Sequence, residues 1–224
     1  MKLPLDKYFK KYEGLVKLVD EAFDKVKSEY GDCVKCASGC SDCCFAIFDL
    51  TLIEAMYVNY HFNQKYTGGT IRHDMIERAN RADRKLHKLK KKAHAETVEG
   101  RDELSIIGDM SMERVRCPLL SMEDKCDLYE FRPIACRVYG IPTSAMGVSH
   151  TCGKTSFEQG KKYPALNMDM VYKKLYEFSA DFISELPTTY TRMSDMLVPV
   201  SMAILTEYND EYLGIINDDE TGDK

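Results

Sequence analysis

Residues 32–44 read DCVKCASGCSDCC, placing Cys33, Cys36, Cys40, Cys43 and Cys44 within twelve positions among small and turn-forming residues. Buried structural thiols rarely crowd this way. A backbone free to fold back can aim several sulfurs at one centre, so the stretch reads as an irregular metal-binding loop. Two cysteines separated by two residues make the shortest turn that brings two thiolates onto one ion, and Cys33/Cys36 and Cys40/Cys43 both have that spacing. Adjacent Cys43 and Cys44 add a constraint, because neighbouring side chains diverge on a strand and stand about 100° apart on a helix. One ion does not easily take both. Two neighbouring centres, or a multinuclear cluster whose separate irons each accept one thiolate, accommodate the pair better.

The chain has 224 residues and nine cysteines, the other four being Cys117, Cys126, Cys136 and Cys152. The N-terminus, MKLPLDKYFKKYEG, has no apolar region of the export-signal kind, and the longest apolar run, Met196–Leu205, is interrupted by Pro199 and Ser201. The expectation is a cytoplasmic protein without a membrane span. That compartment keeps thiols reduced, so metal ligation is favoured over disulfide pairing. With 44% hydrophobic residues, 30% charged residues and a net charge of −5, the chain can build one ordinary core. Sulfur ligands are soft, which excludes calcium and magnesium and leaves zinc, iron–sulfur or copper.

Upstream of the loop, Leu5, Phe9, Tyr12, Val16, Val19, Phe23, Val26 and Tyr30 recur every three or four positions. This predicts a long amphipathic helix from Leu5 to Tyr30, with Gly31 as its left-handed cap. Downstream, Phe45–Leu50 is apolar, and Thr51-Leu-Ile-Glu54 reads as a capping box opening a helix to about Asn63. Thr67-Gly68-Gly69 then breaks the pattern before a helix from Thr70 to about Ala95, striped by Ile71, Met75, Ala79, Ala82, Leu86 and Leu89. Its other faces carry Arg72, Arg78, Arg81, Arg84, Lys85, Lys88, Lys90, Lys91 and Lys92. A solvated face is the plain explanation and an anionic partner the alternative.

Val115–Leu120 and Lys125–Tyr129 read as the strands of a small hairpin around Ser-Met-Glu-Asp. Arg132-Pro133 starts a helical turn carrying Cys136 and Arg137, and a Gly- and Ser-rich loop leads to His150 and Cys152. Asn167 caps a helix over roughly Met168–Glu185, and another covers Thr191–Tyr208, kinked or split at Pro199. The expected fold is mainly α with a small β-hairpin, a single domain over residues 1–216 whose irregular loops are organised by a multi-cysteine metal centre. The cysteine region spans 33–152, the C-terminal helices 165–216, and the acidic tail 217–224 is expected to be disordered.

Cys40-Ser-Asp-Cys43-Cys44, then Arg116-Cys117-Pro-Leu-Leu120, then Cys126-Asp-Leu-Tyr129-Glu-Phe-Arg132-Pro133-Ile-Ala-Cys136-Arg137, resemble both halves of the pattern of the YkgJ family of cysteine-cluster proteins. The resemblance runs from about Cys36 to Cys152 and implies zinc or iron chelation. It implies as ligands Cys36, Cys40, Cys43, Cys44, Cys117, Cys126, Cys136 and Cys152. The family pattern puts its first cysteine at position 37, which is Ala37 here. The role passes to Cys36, with Cys33 as the alternative. Eight thiolates allow two four-ligand sites, one cubane with spare cysteines, or a cluster beside a zinc ion. The flagellin lysine methylases, whose cysteine motif resembles this one, incline the choice to an iron–sulfur cluster, [4Fe–4S] before zinc.

Arg116, Arg132 and Arg137 flank the cysteines, where guanidinium groups would offset the charge of a metal–thiolate centre or donate hydrogen bonds to sulfur. The plainer reading pairs Arg132 and Arg137 with Glu130 and nearby carboxylates. Tyr129 and Tyr139 read as core packing, the twelve methionines likewise, and His150 as a loop side chain rather than a ligand. His61, His73, His87 and His94 have no partner at ligand spacing. Walker, GxGxxG, GxSxG and HExxH motifs are missing. Cys36-x-x-x-Cys40-x-x-Cys43 has the radical-enzyme spacing without the β/α alternation such enzymes use.

The leading function is therefore a metal-binding protein serving redox chemistry, metal handling or cluster-dependent chemistry with a protein or small-molecule partner. Its catalytic residues are left open. A cluster-dependent enzyme resembling the methylases is the first alternative. A zinc-stabilised binder of nucleic acid or another anion through helix 72–92 is the second, and the net negative charge and lack of aromatics on that basic face count against nucleic acid.

Overall fold

In the computed structural model, which describes residues 3–37 and 39–216, the N-terminal periodicity becomes helix α1 (Leu5–Glu29). Tyr8, Phe9, Tyr12, Val19 and Val26 are its buried face. Gly31 follows it, but not in the left-handed region expected of it. Its missing side chain serves a close approach instead, since a Cβ there would lie 2.9 Å from the carbonyl oxygen of Lys27. The tail 217–224 lies outside the described residues.

Helix α2 (Leu52–Lys65) is the centre of the fold, buried almost all round through its first two turns and beyond. One side, with Leu52, Ile53, Met56 and Tyr57, packs on α1, α5 (Ile134–Val138) and α6 (Met168–Ser184). Tyr12 and Tyr57 stand 4.7 Å apart between ring centres, and Tyr8 meets Phe182 edge-on at 5.5 Å. The other side, with Ala55, Val58 and Phe62, joins Met75 and Ala79 of α3 (Gly69–Val98), Leu119, Leu128 and the short α7 (Val200–Leu205). A third, smaller cluster consists of Ala82, Leu86 and Val115 with Ile47 and Leu89 against it.

The capping box does not form. Thr51 precedes α2 without a side-chain cap, and its buried hydroxyl has no partner among the described residues. Glu54 turns inward instead, 2% exposed, and takes hydrogen bonds from the Tyr12 hydroxyl and the Ile134 N–H, both 2.8 Å from Oε1. This carboxylate ties α1 and α2 to the first residue of α5.

Two small sheets complete the architecture. β1 (Asp49–Thr51) pairs antiparallel with β5 (Leu197–Pro199), with Leu50 opposite Val198. β2 (Thr143–Ala145) pairs antiparallel with β3 (Val148–His150) and parallel with β4 (Leu166–Asn167). The regular hairpin is thus β2–β3, in the segment read as a loop, where Met146 and Gly147 both take positive φ as a tight two-residue turn demands. At 115–129 the expected hairpin reduces to one bridge, Leu120 opposite Cys126, around a turn in which Asp124 has φ 56°. The helix expected over Thr191–Tyr208 is split into a helical turn, Thr191–Asp195, then β5, then α7. Pro199 has no N–H to donate, so the strand pairing passes to a new helix there. Helix α4 (Glu103–Met112) was not foreseen. No helix among the described residues is long and apolar enough to cross a membrane.

Candidate metal centre

Four pieces of chain deliver the cysteines. A helical turn, Asp42–Phe45, carries Cys43 and Cys44, and its exit pairs with the next cysteine segment. The Cys117 N–H donates to the Cys44 carbonyl at 2.7 Å and the Val115 N–H to that of Phe45 at 3.0 Å. The turn at 121–125 brings Cys126 back beside Cys117, and α5 presents Cys136. The fourth piece follows β3, where the N–H of Ser156 donates to the Cys33 carbonyl at 2.9 Å and holds the Cys152 segment against the first loop.

Around these pieces lies a cavity of about 600 Å³. Cys36, Cys40, Cys43, Cys44, Cys117, Cys126, Cys136 and Cys152 all line it, and Cys33 does not. The sulfurs ring the space rather than meet at a point, and among the described residues no three His, Cys, Asp or Glu side chains stand ready to hold a single ion. The donor set fits a thiophilic metal.

The electrostatics divide the thiols into two groups. Cys43 receives hydrogen bonds from Cys136 and Cys44, which lower its pKa strongly; Arg132 adds to the effect. Donating to Cys43 pushes Cys44 and Cys136 well up, and burial adds to both. Burial takes Cys117 to about 12 and raises Cys126. The second group is Cys36, raised to about 11 by burial and then by Cys40, Cys152 and Cys43, together with Cys152, raised by burial. Cys43 is the member that both groups feel. The Cys152 thiol donates to Asp42 Oδ2 at 3.4 Å, and Arg114 grips Asp42 Oδ1 at 2.6 Å. Burial works against the Asp42 carboxylate, yet the hydrogen bonds from Arg114 and Cys152 outweigh it and hold its pKa below the ordinary range.

The three arginines line the same cavity, and among the described residues their hydrogen bonds go to backbone and carboxylate oxygen. Arg116 Nη2 donates to the carbonyls of Leu120 (3.3 Å) and Ser121 (2.6 Å), bracing the turn between Cys117 and Cys126. Arg132 lies 4.0 Å over the Tyr129 ring and donates to the Tyr129 carbonyl. Arg137 pairs with Asp20 of α1 at 2.7 Å and donates to the carbonyls of Arg132 and Glu130, so it clips α5 to α1. Its carboxylate partner is Asp20 and not Glu130. His150 is exposed on β3 and is not among the residues lining the cavity.

A family model described as a zinc- or iron-chelating domain, CxxCxxCC, matches residues 32–153. The chain belongs to the CxxCxxCC family. No curated protein and no solved structure matches it. The CxxCxxCC segment holds all nine cysteines, while α6 and α7 lie beyond it and complete the core.

Two contributors to the CxxCxxCC site escape a search for ligand types. Glu54 is one, since its role depends on a contact to Ile134, eighty residues away. Gly140 is the other. A Cβ at Gly140 would fall 2.1 Å from Cys36 Sγ and 3.1 Å from its Cβ, so the glycine is the space in which the Cys36 thiol lies. Gly140→Ala is expected to expel Cys36 from the cavity wall while leaving the helical content intact. Circular dichroism and metal analysis of the purified variant check this, and a normal metal content would show that Cys36 is dispensable.

Proposed function

We propose that this protein holds an iron–sulfur centre on its eight cavity cysteines, with Cys44, Cys117, Cys126 and Cys136 forming one side and Cys36, Cys40 and Cys152 the other. Cys43 stands between them. The observation that carries the reading is the convergence of eight thiols from four separate chain segments on one cavity. Their number suits a cluster, in which each iron takes its own thiolate, better than a lone zinc ion, which takes four sulfurs. Such a cluster, when bound, supplies one-electron chemistry. The protein side of the site supplies charge balance: Lys27, Arg116 and Arg132 line the cavity and face the sulfurs' negative charge.

The basic helix supports this reading over an anion-binding one, because several of its cations already serve the fold. Arg78 donates to the Leu120 carbonyl at 2.5 Å, Lys85 to that of Arg114 at 2.6 Å, and Lys90 pairs with Asp49 at 2.7 Å. The first two anchor the 114–120 segment that bears Cys117.

Anaerobic purification followed by iron, zinc and acid-labile sulfide analysis tests the proposal. The expected result is a brown protein with iron and sulfide in nearly equal amounts. A colourless protein holding zinc without sulfide would overturn it.

A further inference from the structure

The last buried residue of α3 is Leu86, and beyond Lys90, which pairs with Asp49, the helix runs on with α4 beside it. The two are joined through Gly100, at φ +85°, and Arg101, which pairs with Glu96 at 2.7 Å and Asp109 at 2.6 Å. Within α4 only Ile106 is buried. Leu104 (65% exposed), Ile107 (49%) and Met112 (80%) form an outer stripe at helical spacing with Gly108 and Ser111 between them, and Val98 at the end of α3 is 74% exposed. The α3–α4 hairpin therefore carries a second apolar face that the fold does not cover.

The charge of the hairpin is segregated. The outer half of α3 exposes Arg84, Lys88 and Lys91, which have no carboxylate partner among the described residues. α4 and its C-terminal flank carry Glu103 and Glu113, which have no cationic partner among the described residues, while Asp102 caps the helix and Asp109 is held by Arg101. A hairpin with one basic helix, one acidic helix and an apolar stripe complements a second copy of itself about a two-fold axis. Stripe meets stripe, and each acidic α4 lies beside the other copy's basic α3. Four exposed apolar side chains per copy, doubled by symmetry, reach about 1,000 Å², the order of area a specific interface needs.

We propose that the protein pairs with a second copy through its α3–α4 hairpins, which then form a four-helix bundle. The pairing rests on the hairpin alone and is independent of what the cysteines hold.

Sedimentation equilibrium of the wild type, from low to high micromolar concentration, tests it. The expected result is a dimer, and Ile107→Glu weakens its association by about tenfold or more, since a charge would be buried in the stripe. Lys88→Glu with Lys91→Glu weakens it too, more at low salt than at high. Mixing that double variant with Glu103→Lys, where the reversed charges meet, is expected to restore a heterodimer. The charge variants alter only exposed positions, so they remain informative if Ile107→Glu fails to fold. A wild type that stays monomeric at every concentration overturns the proposal, as does a dimer indifferent to all of these substitutions.

Discussion

Replacing Glu54 with alanine is expected to lower the free energy of unfolding by about 3–5 kcal/mol, because it leaves two buried donors, the Tyr12 hydroxyl and the Ile134 N–H, without an acceptor at about 1–3 kcal/mol each and opens a cavity besides. Among the described residues Glu54 is the buried carboxylate that links α1, α2 and α5, so the effect reaches beyond stability. Ile134 is two residues before Cys136, and the variant should also hold less metal at that cysteine's side of the cavity. Glu54→Gln keeps a carbonyl acceptor and should cost much less. Urea denaturation of the three proteins checks the order, and an alanine variant as stable as wild type would sink the keystone role.

The pH dependence separates the two variants further. Burial raises the Glu54 pKa, and the hydrogen bonds and Arg137 only partly oppose it. A carboxyl whose folded pKa lies above its unfolded value contributes most at low pH, and that contribution is lost as pH rises through the folded pKa. Wild type should therefore lose stability relative to Glu54→Gln as pH climbs from the ordinary glutamate range upward.

Metal loading is expected to change by about 10³ to 10⁴ in apparent affinity per pH unit for each four-sulfur centre. Each thiol bound must lose its proton, and each proton displaced contributes about tenfold per unit. Burial holds Cys36 at about 11 and Cys117 at about 12 and raises Cys126 and Cys152, so these bring their protons to the encounter. Cys43 is the exception. Hydrogen bonds from two neighbouring thiols lower its pKa, so it gives up its proton more readily than they do. The sign is unambiguous: acidification favours the protonated thiols and weakens binding. Zinc titration of the apoprotein against a competing chelator at stepped pH, with proton release measured calorimetrically, checks this. Release of fewer than one proton per metal would contradict it.

The long helices were legible because their apolar residues fall on one stripe, as in α1, α3 and α6. Helix α4 was not, since Leu104, Ile106, Ile107, Met110 and Met112 lie on opposite faces and only Ile106 packs inward. The β2–β3 hairpin was missed because its turn places a methionine, Met146, at positive φ, a conformation that turn signals assign to glycine or asparagine. At the site, the cysteine spacings announced ligand chemistry, but they could not tell Cys33 from Cys36. The seat of Cys36 on the cavity wall depends on Gly140, whose bare α-carbon lies over its thiol. Thr51 and Glu54 matched a local cap in sequence, yet a partner eighty residues away competes better for the carboxylate. Local patterns carry no information about such partners.

The three hydrophobic clusters all reach the cavity: Cys36 packs on the first, Cys117 and Cys126 on the second, and Ala82, Leu86 and Val115 of the third form part of its wall. Helix α2 is common to the first two clusters and α3 to the last two, and the sulfur-lined seam is where all three come to one surface. Whatever occupies that seam therefore touches the whole core at once, and its gain or loss is felt in every layer of packing.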